Sequence, residues 1–376
     1  MNAALSSGSD RDWLTLALAL AQRVGMDTAP NPKVGCVLVR DGQVLGQGFT
    51  QPLGQAHAEV QALRAAVAAG HTLVGATAYV TLEPCSHYGR TPPCANALIE
   101  AGIVRVVAAL QDANPQVAGQ GRAMLLDAGV AFDWADQLGL ADLALAAREL
   151  NIGFFCRMES GLPWVRMKVA ASVDGKTALP NGQSQWITGP QARRDGHLWR
   201  ARADVILTGS GTVLADDPQL TVRDAGAVCQ PLRVVLDSAL RVPPTARIFD
   251  EGAVLLVCAA IDVERSAALQ ARGAEILCLP AADGRVDLLA LIAELGRRQI
   301  NEVHVEAGAV LNGALIAADC VDELLLYLAP KLLGAGAGLF HLPLIEHVDA
   351  AQQLVFQDTL LLGADVRLRA RFKPGV

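Results

Sequence analysis

Three side chains able to bind a metal are spaced so that they restrict the N-terminal half of the 376-residue chain more than any other feature. His57 opens the stretch HAEV, and two Pro-Cys pairs follow, Pro84-Cys85 and Pro93-Cys94. Residues 56–69 carry apolar positions at helical spacing and stop at Gly70, so His57 lies at a helix start. Residues 76–82 are β-rich, and residues 93–101 read as a second helix, with Pro93 near its first position and Gly102 just past its end. One metal can hold all three residues only if the starts of both helices and the end of that strand meet at a point.

One imidazole and two thiolates leave the fourth corner of a tetrahedral zinc open for water, as a catalytic site requires. Zinc brings the pKa of that water near neutrality. Glu59, two residues past the histidine and not a ligand, is placed to take the water's proton and pass one to a leaving amine. His-x-Glu upstream of Pro-Cys and a second Cys is the pattern of zinc nucleobase deaminases. Alone, His57 would read as a solvated helix residue and the cysteines as core. Together, with Glu59 at the correct offset, they read as a zinc site. Helix starts favour negative charge, which helps hold Cys94 as a thiolate. The stretch between the cysteines, Ser86 to Pro93, is longer than the compact Pro-Cys-x-x-Cys pattern. Its His87, Arg90 and hydroxyls suit an anionic group such as a phosphate.

Length bounds the rest. At about 150 residues per domain the chain holds two, and 52% hydrophobic residues suffice for two cores. Strand and helix signals alternate through both halves: β-rich 34–39, an Asp41-Gly42 hairpin turn, strand 44–49, strand 103–110 and helix 140–151 in the first. GLPW at 161–164 breaks the pattern. Strands at 165–171, 204–208, 232–237, 253–258 and 302–306 follow, with helices at 190–202 and 287–298 and two antiparallel strands within 353–372. The fold class is α/β throughout, with domains at residues 1–158 and 159–376.

The net charge of −7 comes without a Lys/Arg block, so a basic stripe for nucleic acid is missing and a small-molecule substrate is expected. No apolar run reaches a membrane span. The apolar run 14–21 follows Asp10, Arg11 and Asp12 and reads as an amphipathic helix rather than a signal peptide. Eight scattered cysteines do not resemble a secreted disulfide scaffold. A cytoplasmic enzyme with no membrane partner is expected.

The second half has no clean Gly-x-Gly-x-x-Gly, and Gly334, Gly336 and Gly338 read as a mobile turn. Four polar islands remain: KVAASVDGK (168–176), SQWIT (184–188), GSGTVLADDPQLTVR (209–223) and VEAGAVLNGAL (305–315). Strand ends passing into helix starts suit phosphate binding, so the islands point to a phosphate or nucleotide site.

HAE, PCSHYGRTPPC and NPKVGCVLV (31–39) closely resemble the deaminase domain of the bifunctional riboflavin-biosynthesis deaminase/reductases. The four islands are similar to that family's reductase domain. The resemblance covers the chain from about Asp12 to the last strand. It implies a cytidine-deaminase-like three-layer domain followed by a dihydrofolate-reductase-like α/β domain, Zn2+ and NADPH as cofactors, and a homo-oligomer. The implied substrate is 2,5-diamino-6-(ribosylamino)-4(3H)-pyrimidinone 5′-phosphate, deaminated and then reduced to a ribityl chain. By resemblance Asn31 contacts the pyrimidine, and His87 and Arg90 hold the ribose phosphate. In the second domain Ser184, Arg200, Arg223 and Glu306 would hold substrate, with Lys168 and Asp216 near the reacting centre. Ala170, Trp186, Thr212, Asp216, Leu220 and Ser238 would face NADP. Gly308, Ala309, Val310, Leu311, Asn312, Gly313 and Ala314 would embrace its phosphates. Ala307 departs from the family, where many members have glycine.

Two other classes are set against this reading. A nucleic-acid-editing deaminase is opposed by the acidic balance and the phosphate-suited insert. A regulatory protein with a dead site is opposed by the intact set of His57, Glu59, Cys85 and Cys94.

Overall fold

Asp41 and Gly42 both take positive φ, 53° and 72°, the conformation a two-residue hairpin needs to match strand twist. They join β1 (Gly35–Arg40) to β2 (Gln43–Phe49), which pair antiparallel. The computed structural model describes residues 8–86, 93–115, 117–223 and 229–373. The chain divides into two compact units, Met1–Ser160 and Gly161–Val376.

In unit 1, β1 also pairs antiparallel with β3 (Thr77–Val80). β4 (Arg105–Ala108) and β5 (Ala131–Trp134) then add in parallel, giving the order β2-β1-β3-β4-β5. α2 (Ala58–Ala68), α3 (Cys94–Glu100) and α4 (Gln120–Asp127) cover one face, where Ala58, Ala62, Ala95, Leu98 and Leu125 pack on Cys36, Leu38, Ala78 and Val106. α1 (Asp10–Ala21) lies on the other face, its Ala17 and Leu20 against Val37, Tyr79 and Val107. α5 (Ala141–Leu150) packs on α1, and α6 (Ile152–Ser160) ends the unit. The three-layer expectation is met.

Small residues set how closely α2 sits on the sheet. A Cβ on Gly48 would fall 2.3 Å from the Ala58 carbonyl oxygen, and one on Gly46 2.2 Å from that of Ala62. These glycines in β2 let the start of α2, with His57 and Glu59, lie directly on the strand.

Unit 2 holds β6 (Trp164–Ser172), α7 (Pro190–Arg200), β7 (Val205–Gly209), α8 (Ser210–Asp216), β8 (Leu232–Leu236), β9 (Val254–Cys258), α9 (Val263–Gln270), β10 (Ala274–Cys278), α10 (Leu288–Arg297), β11 (Glu302–Val305), α11 (Ala309–Ala317), β12 (Glu323–Ala329), β13 (Leu354–Leu362) and β14 (Asp365–Phe372). The sheet order is β10-β9-β8-β7-β11-β6-β12-β14-β13. The first seven of these run parallel, and the β13–β14 hairpin adds antiparallel along β12. α10 and α11 cover one face, while α8, α9 and α7 cover the other. Four islands of the sequence therefore sit at the C-terminal ends of β6, β7 and β11 or in the loop leading into α7. In open α/β sheets such strand ends gather ligands.

Under α7 the second face carries charge. Arg166 of β6, 1% exposed, bonds Glu302 at 2.7 Å and Glu323 at 2.6 Å, and its guanidinium stacks 4.4 Å from the Trp199 ring. Removing one partner from such a buried set leaves an uncompensated charge, so the set fixes where α7, and hence Arg200, can lie.

The glycine segment 334–338 is not a free turn. The Asp174 carboxylate accepts from the backbone N–H of Leu333 at 3.1 Å and Gly334 at 2.8 Å. Ala337 bridges Ala178, and a Cβ on Gly336 would fall 2.3 Å from the Ala178 carbonyl oxygen. Gly336 serves close packing, which spacing alone does not distinguish from mobility.

Candidate active sites

His57 is the N-cap of α2 with extended backbone, φ −73° and ψ 168°, so its ring projects from the helix start instead of joining the helix face. Cys94 is the first residue of α3, and its N–H donates to Cys85 Sγ at 3.3 Å. His57 Nδ1 lies 3.6 Å from Cys85 Sγ and 3.3 Å from Cys94 Sγ. The three donor atoms lie within 4.8 Å of one another. Tetrahedral zinc with bonds of about 2.3 Å to sulfur and about 2.1 Å to nitrogen separates such atoms by about 3.6 Å, so the donor set fits zinc. Glu59 sits in the first turn of α2 and is 4% exposed.

The electrostatics follow from burial. The hydrogen bond from Cys94 holds the Cys85 thiol down to about 4, against desolvation and with help from His57. Cys94, the other thiol of the pair, is pushed up by its hydrogen bond with Cys85 and by burial. The hydrogen bond with Cys85 raises His57 to about 9, opposed by burial and assisted by the Glu59 charge. Burial raises Glu59 to about 7, with the Cys85 charge adding to the shift. The cluster pairs the Cys85 thiolate with a protonated His57 and sets a proton-exchanging carboxyl beside them, and a metal ion would displace the protons on His57 and Cys94.

Glu83 was not singled out from the sequence, yet it shapes the site. It is 3% exposed and accepts the backbone N–H groups of Asp112 at 3.3 Å, Gly119 at 3.0 Å and Arg122 at 3.0 Å. Gly121 packs so closely that a Cβ would fall 1.9 Å from the Pro84 carbonyl oxygen. The loop after β4 is thereby pinned against Pro84-Cys85. The only signal in the sequence is the position of Glu83 in TLEPC. Asn31 lies in a bend beside Lys33, whose N–H donates to Asn151 at 2.7 Å and whose carbonyl oxygen accepts from Asn151 at 2.9 Å. His87 and Arg90 fall outside the described residues.

Unit 2 has a cleft of about 1450 Å³. Lys168, Ala170, Ser184, Trp186, Arg200, Thr212, Asp216, Leu220, Arg223, Ser238 and Glu306 all line it, as do Gly308, Ala309, Val310, Leu311, Asn312 and Ala314. Gly313 is not among its lining residues; a Cβ there would fall 2.0 Å from the His341 carbonyl oxygen, so this glycine admits the neighbouring backbone.

Glu306 is the hub of one end. Arg200 Nε bonds its Oε1, and Arg200 Nη2 bonds its Oε2 at 2.9 Å. Lys168 Nζ stands 3.5 Å from Oε2, and His304 Nε2 stands 3.4 Å from Oε1. Burial would raise the Glu306 pKa, but the Arg200 and Lys168 charges outweigh it and hold the carboxyl well below its ordinary range. Burial lowers His304, which stays neutral. Arg200 also donates to the Thr221 carbonyl at 3.0 Å, so most of its fork is already committed. Asp216 is exposed at the end of α8, and the partner of Lys168 is Glu306.

The middle of the cleft opens on a helix start. α11 begins after Gly308, where a Cβ would meet nothing within 4 Å, so a phosphate can approach the helix N-terminus unobstructed. Asn312, 1% exposed, has no hydrogen-bond partner for its Oδ1.

Residues 7–110 match the family model described as the cytidine and deoxycytidylate deaminase zinc-binding region, and residues 163–367 match the RibD C-terminal domain. The chain is 47% identical to the riboflavin biosynthesis protein RibD of Escherichia coli, over 96% of this chain and 98% of that one. It is similar to the solved structure of Acinetobacter baumannii RibD at 41% identity and TM-score 0.85, covering 97% of this chain and 99% of that one. A diaminohydroxyphosphoribosylaminopyrimidine deaminase/5-amino-6-(5-phosphoribosylamino)uracil reductase from Thermotoga maritima also matches, with TM-score 0.85, 28% identity and coverage of 97% and 99%.

Proposed function

The chain belongs to the RibD family of riboflavin-biosynthesis proteins, and from that premise we propose how its residues carry the two reactions. It is a bifunctional enzyme, a zinc-dependent deaminase in unit 1 and an NADPH-dependent reductase in unit 2. The substrate of unit 1 is 2,5-diamino-6-(ribosylamino)-4(3H)-pyrimidinone 5′-phosphate, in keeping with the Thermotoga relative. Its deaminated product is reduced in unit 2 to 5-amino-6-(ribitylamino)uracil 5′-phosphate.

His57, Cys85 and Cys94 hold zinc, which supplies Lewis acidity and makes water a nucleophile near neutral pH. Glu59 removes the proton from the attacking water and delivers it to the departing 2-amino group, so that ammonia leaves. Its burial keeps the carboxyl near the pKa such a relay needs. Asn31 orients the pyrimidine, and His87 and Arg90 take the ribose phosphate.

NADPH supplies the hydride in unit 2. Gly308 to Asn312 together with Ala314 cradle its phosphates, and Ala170, Trp186, Thr212, Asp216, Leu220 and Ser238 line its course. Lys168, held by Glu306, donates a hydrogen bond to the carbonyl of the ring-opened ribose and stabilises the developing alkoxide. Ser184, Arg200, Arg223 and Glu306 position the sugar phosphate, and Asp216 stands beside the reacting centre.

The observation that carries this reading is the convergence of His57, Cys85 and Cys94 with Glu59 buried in the adjoining helix turn. Metal content measured together with turnover of the pyrimidinone phosphate, with and without NADPH, tests it. Ammonia release without NADPH and ribityl product only with NADPH are expected.

A homo-oligomer is supported by β13, the edge of its sheet. Phe356 and Leu361 on it are 67% and 72% exposed, and Leu354, Val355 and Leu360 join them. An apolar sheet edge of this kind pairs with another chain. A cytoplasmic location is supported by the buried Cys36, Cys94, Cys258 and Cys320 standing as thiols and not in disulfides. No helix among the described residues is long and apolar enough to cross a membrane.

A further inference from the structure

We propose that His197 is a positioning residue of unit 2: through its Nδ1 it holds the Arg223 backbone, and so aims the Arg223 guanidinium at the phosphate of the substrate. The inference rests on the reading of Arg223 as a substrate ligand.

Residues 217–223 form neither helix nor strand, yet Leu220, Thr221 and Val222 are buried. A buried segment without a ladder must find partners for its backbone groups elsewhere. Side chains supply them here. Arg200 Nη1 donates to the Thr221 carbonyl oxygen at 3.0 Å, and the Arg223 N–H donates to His197 Nδ1 at 3.2 Å. Gln230 takes both groups of Val222: its Oε1 accepts the N–H at 2.7 Å and its Nε2 donates to the carbonyl oxygen at 3.1 Å. This alternation is that of a strand between two neighbours, with α7 standing in for one neighbour and Gln230 for the other.

His197 and Arg200 lie one turn apart on α7 and so share a side of it. The helix that carries them is fixed by Trp199 stacked 4.4 Å from the Arg166 guanidinium. The two arginines then differ in what they have left to offer. Arg200 is committed to Glu306 and Thr221. Arg223 also lines the cleft, and among the described residues its one hydrogen bond is the backbone bond to His197. Its fork is left for a phosphate, which it matches at two points. A backbone N–H only donates, so Nδ1 of His197 accepts and the ring proton sits on Nε2. That sets what a substitute must reproduce. An asparagine Oδ1 can take the place of Nδ1 as acceptor, whereas leucine offers none.

The test is steady-state reduction of the deaminated product of unit 1 by NADPH, in wild type, His197→Leu, His197→Asn, Arg223→Gln and the double variant His197→Leu/Arg223→Gln. His197→Leu is expected to raise KM for the phosphorylated substrate about fivefold, the equivalent of one hydrogen bond, with kcat and KM for NADPH within about twofold of wild type. His197→Asn should bring that KM back to within about twofold of wild type. With Arg223 already replaced nothing remains to be aimed, so His197→Leu should add no more than about twofold in the double variant. An unchanged KM in His197→Leu, a His197→Asn protein no better than His197→Leu, or the full fivefold added in the double variant overturns the assignment. An unchanged substrate KM in Arg223→Gln alone would instead overturn Arg223 as a substrate ligand, and with it the purpose assigned to His197.

Discussion

Arg200 and Glu306 stand 106 residues apart in sequence and meet as a two-point ion pair, with Nη2 2.9 Å from Oε2 and Nε on Oε1. One comes from the end of α7 and the other from the residue after β11. Their union fixes one end of the unit 2 cleft and leaves Lys168 beside a carboxylate that stays ionised well below the ordinary carboxylate range.

Stability should depend on pH through Glu306. Its folded pKa lies well below the ordinary 4.5, with burial opposing and the Arg200 and Lys168 charges prevailing. The unfolded chain therefore binds a proton near 4.5 that the folded chain refuses. The stability this group contributes is complete above that pH and is lost as pH falls below it. Glu306→Gln strands two cations and should cost about 3 kcal/mol at pH 7. Denaturant unfolding of both proteins from pH 3 to 7 should show the difference shrinking toward acid. A gap that stays constant would refute the linkage.

Lys168→Ala should slow reduction about 10²- to 10³-fold, as loss of one electrostatic stabiliser does, and leave ammonia release from unit 1 intact. Both rates are measured on one preparation. Loss of both would show that the substitution damages more than the reductase chemistry.

Gly48→Val tests whether the sheet seats the zinc ligand. The added side chain begins 2.3 Å from the Ala58 carbonyl oxygen, next to His57. α2 must shift, so zinc affinity should fall at least about tenfold, as when support around a ligand is lost. Competition with a chromogenic chelator measures it. Unchanged affinity would mean His57 is placed by something other than the α2–β2 contact.

Phe356→Asp on the exposed edge should dissociate the homo-oligomer proposed to form through β13. Light scattering after size exclusion should show a smaller particle than wild type, and an unchanged mass would remove β13 from the interface.

The parts legible in the sequence were those where chemistry or turn geometry demands particular residues. His57, Glu59, Cys85 and Cys94 have few substitutes at a zinc deaminase site, and Asp41-Gly42 announces its hairpin. The β6, β8, β9 and β11 strands were legible as short apolar runs. β12, ELLLYLA, was not, because a run apolar on both faces carries no period that separates strand from helix. α8, SGTVLAD, reads as a loop island and folds as a helix of two turns. The pairing of Arg166 with Glu302 and Glu323 was hidden, since partners 136 and 157 residues apart leave no local trace. Glu83 was hidden for the same reason: its acceptors' partners are backbone groups of a distant loop.

Glu59→Gln bears most directly on the central claim, that a carboxyl beside a His57, Cys85 and Cys94 zinc drives the deamination. The variant should retain one zinc per chain and release ammonia from the pyrimidinone phosphate at least about 10³-fold more slowly than wild type. Wild-type ammonia release from a zinc-loaded Glu59→Gln protein would contradict it.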